Sequence, residues 1–172
     1  KTRSLPTQRT EAWVAWDDDA FYAAARCHEE RMDLVVAEPA GIKGAIWGHD
    51  CLEVFLMPGR PYYYHFGANV LGSRYDARTD VRTGKVDPAW RADWKVAARK
   101  HADHWTMEIA IPFACMELGA ERLAGGFRFN IGREERRLTE FSCWPASGFH
   151  AYEEYASLTE ISPDPERYGI LL

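Results

Sequence analysis

The stretch CLEVFLMPGRPYYYHFGANV, residues 51–70, decides the fold, because its two halves carry apolar residues at every second position around Pro58 and Gly59. A period of two is typical of β-strands, whose successive side chains point to opposite faces. Pro followed by Gly is typical of a turn. The stretch therefore predicts two strands, over residues 51–57 and 62–70.

The same period recurs on either side of this stretch. It predicts further strands over residues 10–16, 20–28, 94–99, 105–111, 127–133, 141–144 and 155–161, with a loop over 76–90 and a helical turn over 113–118. About nine short strands without a sustained helical period predict an all-β fold. We expect a two-sheet antiparallel β-sandwich, jelly-roll or immunoglobulin-like, with one short helical turn and with residues 1–172 forming one domain.

Composition excludes several classes of partner. The chain is 47% hydrophobic and 13% aromatic, which suits a β core and sites that stack flat rings. A net charge of -5 argues against nucleic acid, since phosphate binding needs a basic surface. The sequence has no apolar run long enough to cross a bilayer, so we expect no membrane partner.

The four cysteines leave the redox state open. They are far apart and form no Cys-x-x-Cys pair, which argues against a zinc site. An even number permits disulfides, and buried free thiols are an equal alternative.

Strand alternation also assigns side chains to faces. Leu52, Val54 and Leu56 must face the core, so Glu53 points the other way. If the strands over 51–57, 62–70, 105–111 and 127–133 share one sheet, its outer face carries Glu53, His65, Asn69, Glu108 and Asn130. Such acceptors and donors suit sugar hydroxyls, although an ordinary solvated face would have the same pattern.

Five short motifs, in order along residues 10–161, resemble the family 9 carbohydrate-binding modules. They are IWGHDCLEVFL at 46–56, HFGAN at 65–69, WTMEIAIPF at 105–113, FNIGR at 129–133, and SCW at 142–144 followed by Phe149 and His150. The resemblance implies a non-catalytic β-sandwich that binds a polysaccharide or oligosaccharide and contains structural calcium. It also implies a secreted protein, extracellular or periplasmic, with catalytic or anchoring domains beside this one.

The resemblance also implies roles for particular residues. Trp47 matches one of two aromatic rings that clamp a sugar ring, and the loop after Trp144 offers Phe149 and His150 for the second. Glu53 matches a carboxylate that accepts hydrogen bonds from sugar hydroxyls.

Other parts of the implied site are less complete. A sugar-binding Arg of the family falls at Gly67, and Arg133, Arg136 or Arg137 is the candidate to supply that guanidinium from a neighbouring strand. Asp50 and Asp76 are candidate calcium ligands, with turn capping as the alternative role for Asp50.

Three rival functions remain open at this stage. Glu53 and Glu108 on one face would suit a glycosidase acid and base. A related sandwich could bind haem through Met with His or Lys. The domain could also be a structural spacer whose sugar site has decayed, which the Gly at position 67 favours.

Overall fold

A computed structural model describes residues 6–39, 46–58, 61–87, 89–116, 126–144 and 159–161. These residues contain two short 3-10 turns, Met32–Leu34 and Phe113–Met116. Their eleven strands are β1 (Thr10–Trp16), β2 (Ala20–His28), β3 (Cys51–Met57), β4 (Tyr62–Asn69), β5 (Arg74–Asp80), β6 (Val86–Asp87), β7 (Lys95–Lys100), β8 (His104–Pro112), β9 (Phe127–Glu135), β10 (Glu140–Trp144) and β11 (Thr159–Ile161).

The strands form two antiparallel sheets, which confirms the predicted sandwich. The smaller sheet has four strands in the order β1-β2-β8-β7. The larger has seven, in the order β10-β9-β3-β4-β5-β6, with β11 paired to β9 beside β10. The predicted helical turn is the 3-10 turn at Phe113–Met116.

The core lies between the sheets, on the faces that alternation assigned. Leu52, Val54 and Leu56 of β3 are fully buried in one cluster with Trp105 and Ile111 of β8. Burying one such side chain stabilises the fold by about 1.5–3 kcal/mol. The two inward faces therefore supply the main force that holds the sheets together.

The predicted loop over 76–90 is wrong, because this region contains most of β5 and all of β6. Charged residues at alternate positions hid the strand. Arg78 is satisfied there by an ion pair with Asp87 and by the ring of Tyr62, whose centroid lies 4.6 Å from its guanidinium carbon. A paired charge removes the usual objection to a charged strand.

All four cysteines are free thiols, and Cys27 and Cys51 are buried. Burial raises the pKa of the Cys27 thiol to about 12, so it stays protonated and unreactive. Within the described residues, no helix has the length and apolarity that crossing a bilayer would require.

Candidate functional site

The candidate site is centred on Glu53, on the outer face of the larger sheet. Antiparallel pairing sets Glu53 opposite Gly67 of β4 and Gly132 of β9. Two residues further along β3, on the same face, Phe55 lies between His65 and Asn130. A glycine on each side leaves the Glu53 carboxylate without flanking side chains on the neighbouring strands.

Part of this face is covered by the chain that leads into β3. The Ile46 side chain is fully buried and lies over Gly67. A Cβ added at position 67 would come within 2.3 Å of Ile46 Cδ1. The space at Gly67 is thus filled by a neighbouring side chain, and position 67 could not hold the arginine of the family pattern without displacing Ile46.

Trp47, the next residue, is 40% exposed and rests on other rings. Its ring centroid lies 4.7 Å from that of Tyr75 and 5.2 Å from that of His65. His65 in turn stacks on Phe55, with centroids 4.1 Å apart and planes 24° apart. The indole is therefore supported from within the sheet while much of it stays accessible.

His65 connects the indole to the carboxylate. Its Nε2 lies 3.2 Å from Glu53 Oε2, although the orientation does not make a hydrogen bond. Glu53 itself is 9% exposed. The acceptor is thus partly desolvated, which strengthens any hydrogen bond it makes with a ligand hydroxyl.

Glu134 is the second carboxyl group at this site, and sequence analysis missed its role. It makes a side-chain hydrogen bond to Glu53, and Arg136 Nη1 lies 3.3 Å from its Oε2. Burial, reinforced by the charge of Glu53, raises the pKa of Glu134 to about 8. Near neutral pH the Glu134 carboxyl group therefore keeps its proton.

A narrow cleft runs beside this carboxyl pair. It is lined by Asn130, Gly132 and Cys143 together with Glu53 and Glu134. Cys51 Sγ lies 3.9 Å from Glu53 Oε1 on the other side. Burial raises the pKa of this thiol well above its ordinary value, so Glu53 does not activate it as a nucleophile. The site thus offers an aromatic surface and a carboxylate acceptor joined by an imidazole.

Glu108 does not belong to this face, contrary to the expectation. It lies on β8, which pairs with β2 and β7 in the smaller sheet. The four strands do not share a sheet, so Glu53 and Glu108 point away from opposite sides of the sandwich. They cannot act as an acid and base on one glycosidic bond.

The expectation for Arg133 is also wrong. Arg133 pairs with the inward residue Leu52, so its side chain points between the sheets and is 3% exposed. Its guanidinium donates to the backbone oxygens of Gln8, Arg9 and His28 and to the hydroxyl of Thr10. Arg136, next to Glu134, is the guanidinium that lies near the site.

Asn69 lies on the outer face beside Cys51 but is fully buried. Its Oδ1 accepts from the backbone of Leu71 and Ser73, and its Nδ2 donates to the carbonyl of Glu38. These bonds hold the turn between β4 and β5, where Gly72 has a φ of 80°. The Asn69 side-chain amide is used in these backbone hydrogen bonds and is not available to a sugar.

The remaining expected sugar contacts fall into two groups. Asn130 is buried and lines the cleft. Phe149 and His150, expected to form the second half of the clamp, lie outside the described residues.

Asp50 lies in a different place, within a buried group of three carboxylates. Ligand oxygens of Glu29, Asp50 and Glu135 all lie within 4.8 Å of one another. Asp50 accepts hydrogen bonds from the backbone of Val36 and Arg136, while Glu29 Oε2 and Glu135 Oε1 have no hydrogen-bond partner. Burial raises the pKa of both Asp50 and Glu135.

The charges around this group are incompletely balanced. Arg133 and Arg137 reach Glu29 at 3.6 and 3.0 Å, so two guanidiniums face three carboxylates. Carboxylate oxygens are the ligands that calcium prefers. The two oxygens without a hydrogen bond each lie 3.6 Å from an arginine nitrogen, Glu29 Oε2 from Arg133 and Glu135 Oε1 from Arg137. The three carboxylates are of the type that binds calcium, and an ion there would compete with these two arginines.

Asp76 is not part of that group. It pairs with Phe66 and therefore faces inward, where it accepts from the Trp94 indole at 3.5 Å and from the Ala92 backbone at 3.3 Å. Its expected role as a calcium ligand is wrong, because its oxygens hold the chain between β6 and β7.

Two residues of the site escaped sequence analysis. Tyr75 lies just before the stretch predicted as a loop, so it had no assigned face. Glu134 follows Asn130 and Gly132 at the same period of two. Extending the predicted strand past residue 133 would have placed it on the outer face.

Solved structures share this architecture. A protein from Bacteroides uniformis ATCC 8492, proposed to bind carbohydrate, superposes with a TM-score of 0.69 at 18% identity, covering 90% of this chain and 78% of that one. A carbohydrate-binding module of family 9 from Caldicellulosiruptor kristjanssonii, solved with glucose, gives 0.51 at 14% identity, covering 82% and 67%. The complex of a family 9 module from the same organism with cellotriose superposes with a TM-score of 0.51 at 13% identity. These likenesses define a β-sandwich of the kind found in carbohydrate-binding modules.

A match to a family model, made on sequence, assigns the chain to a family. The model of the family "Carbohydrate family 9 binding domain-like" matches residues 1–156, and the chain belongs to that family. No curated protein sequence matches the chain significantly.

Proposed function

We propose that this domain binds a glycan without catalysis, by stacking a sugar ring on Trp47 and accepting hydroxyl hydrogen bonds at Glu53. The observation that carries the proposal is an indole left 40% exposed although two other rings, those of Tyr75 and His65, contact it from below. The apolar C–H face of a sugar ring suits such a surface, and each ring contact stabilises a complex by about 0.5–1.5 kcal/mol.

The carboxyl pair supports the hydrogen-bonding half of the proposal. Glu134 keeps its proton near neutral pH and can donate it in a hydrogen bond to Glu53, which is an acceptor in that bond. A hydrogen bond to a charged acceptor contributes about 1.5–3 kcal/mol, and more is lost if a buried acceptor is left unpaired. Family membership and the sugar-bound structures with the same fold add support.

The direct test is titration of the purified domain against a broad glycan panel, by array and then by calorimetry. Binding of one glycan class, lost in Trp47→Ala, is the result we expect. No binding across the panel would favour the structural spacer. Release of shorter sugars from a bound glycan, abolished by Glu53→Gln, would favour a glycosidase.

We also propose that Glu29, Asp50 and Glu135 hold a structural calcium ion. Bound calcium would relieve the repulsion of three buried carboxylates and tie β2, β3 and β9 together at one end. A ligand that binds only the folded state raises its melting temperature by mass action.

The calcium proposal predicts a lower melting temperature after chelation, restored by added calcium and not by added magnesium. Glu135→Gln, which keeps the shape of the side chain, should lose most of the calcium response. Equal melting temperatures with chelator and with calcium would contradict the proposal.

We further propose that the domain works outside the cytoplasm, joined to catalytic or anchoring domains that act on the same polysaccharide. This part rests on family membership alone. Fractionation of the producing cells, with an antibody against the domain, tests it directly.

A further inference from the structure

The outer face of the smaller sheet carries a groove of about 530 Å³ on the side opposite Trp47. This volume is within the range of small-molecule sites, about 300–1,000 Å³. Trp13 of β1 and Tyr22 of β2 stand along it, 40% and 37% exposed. Two large exposed rings beside one groove suggest that something packs against them.

Strand register explains the shape of the groove. One row across the sheet reads Trp13, Ala24, Glu108 and Ala97, and the adjacent row reads Ala15, Tyr22, Ala110 and Lys95. Alanines thus occupy half of these eight positions. Four strands span about 14 Å, so the alanines form a low floor long enough for an extended ligand.

The ring of Tyr22 is fixed before any ligand binds. Its hydroxyl donates a hydrogen bond of 2.9 Å to Asp17 Oδ2, and Asp17 Oδ1 accepts from the backbone of Asp19 and Ala20 in the same turn. A ring already held in place loses little conformational entropy on binding. The turn between β1 and β2 therefore presents Tyr22 as a rigid surface.

The rim has no net charge. Glu108 and Lys95 both line the groove, on β8 and β7, and their charges are opposite. They offer a hydrogen-bond acceptor and a donor to a ligand while giving no preference for an ion. Flat rings, a low apolar floor and a neutral polar rim match a neutral chain of sugar rings.

We propose that this groove is a second glycan-binding site, which takes several units of a neutral oligosaccharide along Trp13 and Tyr22. Its ligand class rests on the proposed function, while its geometry is independent of Trp47. Because the two sites lie on opposite sides of the sandwich, one domain could hold two glycan chains.

Calorimetry with neutral hexasaccharides of the cello, xylo, manno and chito series tests the proposal. For a hexasaccharide that binds, we expect two sites per chain in the unmodified domain and one in Trp13→Ala. Tyr22→Ala should weaken the second site about tenfold. Tyr22→Phe keeps the ring and loses only the hydroxyl bond to Asp17, so it should weaken the site clearly less than Tyr22→Ala does. Circular dichroism checks that each variant is folded.

The outcomes separate the two sites. If calorimetry still shows two binding sites in Trp13→Ala and in Tyr22→Ala, the groove is not a glycan site, and the assignment of Trp47 to the first site is unaffected. One site that survives Trp47→Ala and disappears in Trp13→Ala would support the second site and contradict the first. No binding by any hexasaccharide, or self-association of the domain that Trp13→Ala abolishes, would overturn the second site.

Discussion

Trp47 shows why exposure of a single side chain matters at the residue scale. A buried tryptophan such as Trp105 holds the sheets together, whereas Trp47 has 40% of its surface free above Tyr75 and His65. Its removal should therefore cost binding rather than folding.

We expect Trp47→Ala to weaken glycan binding by about 1–3 kcal/mol, on the scale of other stacking contacts, while the melting temperature changes little. Calorimetry of the glycan complex measures the first quantity and thermal unfolding the second. Leu71→Ala is the matched control, since Leu71 is also exposed but lies in the turn after β4. Unfolding of Trp47→Ala would show that the indole is structural.

Glu53 should contribute specificity through its charge. We expect Glu53→Gln to weaken binding by about 1.5–3 kcal/mol, because the amide is a weaker acceptor of sugar hydroxyls. Thermal unfolding should show little loss of stability, because Gln keeps the shape of the side chain and its amide oxygen can still accept the hydrogen bond from Glu134. Unchanged affinity in the same calorimetric assay would remove Glu53 from the site.

At the scale of the strands, the packing of Ile46 over Gly67 fixes how much of the outer face is open. Gly67→Ala would force its new methyl group against Ile46 Cδ1, and such overpacking costs about 1–3 kcal/mol. Ile46→Val removes that Cδ1 atom. We therefore expect Gly67→Ala to cost much less in the Ile46→Val background.

Denaturant unfolding of the unmodified domain, Gly67→Ala, Ile46→Val and the double variant gives the free energy of coupling between positions 46 and 67. Gly48→Ala is the control, since no atom lies within 4 Å of a Cβ added there. Equal costs of Gly67→Ala in both backgrounds would show that Ile46 does not fill the position.

The elements also show what a sequence of this kind can predict. Alternation located β3, β4, β8 and β9 and the inward residues of each, because a buried face imposes a strict period of two. It could not say which strands share a sheet. Glu108 was placed beside Glu53 for that reason, since pairing is set by contacts between distant strands.

Side-chain roles were harder to predict than faces. Arg133 is on an inward position of β9, and its guanidinium donates to backbone oxygens just before β1 and at the end of β2. Asn69 is on the outer face, yet the turn consumes its amide. Neither use is visible in strand periodicity, because each depends on a loop packed against the strand.

For the whole molecule, the Glu53–Glu134 pair links stability to pH. The pKa of Glu134 is raised in the folded state, so the folded protein keeps a proton that the unfolded chain loses near its ordinary value of 4.5. The contribution of Glu134 is therefore fully favourable below about 4.5 and declines as pH rises towards 8.

Replacing Glu134 by Gln removes this titration. The free energy of unfolding of Glu134→Gln, relative to the unmodified domain, should therefore increase from pH 5 to pH 9. Urea unfolding at several pH values measures the difference, with Glu140→Gln as a control because the pKa of Glu140 is lowered instead. A difference that stays constant with pH would contradict the shared proton.

The two sheets give the molecule two unlike outer faces. One has Trp47 and a carboxylate acceptor above the larger sheet, and the other has the alanine floor between Trp13 and Tyr22. A module built in this way could hold a polysaccharide at two points, which strengthens attachment when both are engaged.

A crystal structure of the domain with a bound glycan, chosen from the panel titration, tests the central claim most directly. We predict a sugar ring lying parallel to the Trp47 indole, with a hydroxyl within hydrogen-bond distance of Glu53. A glycan that is bound and makes no contact with that indole would contradict the account.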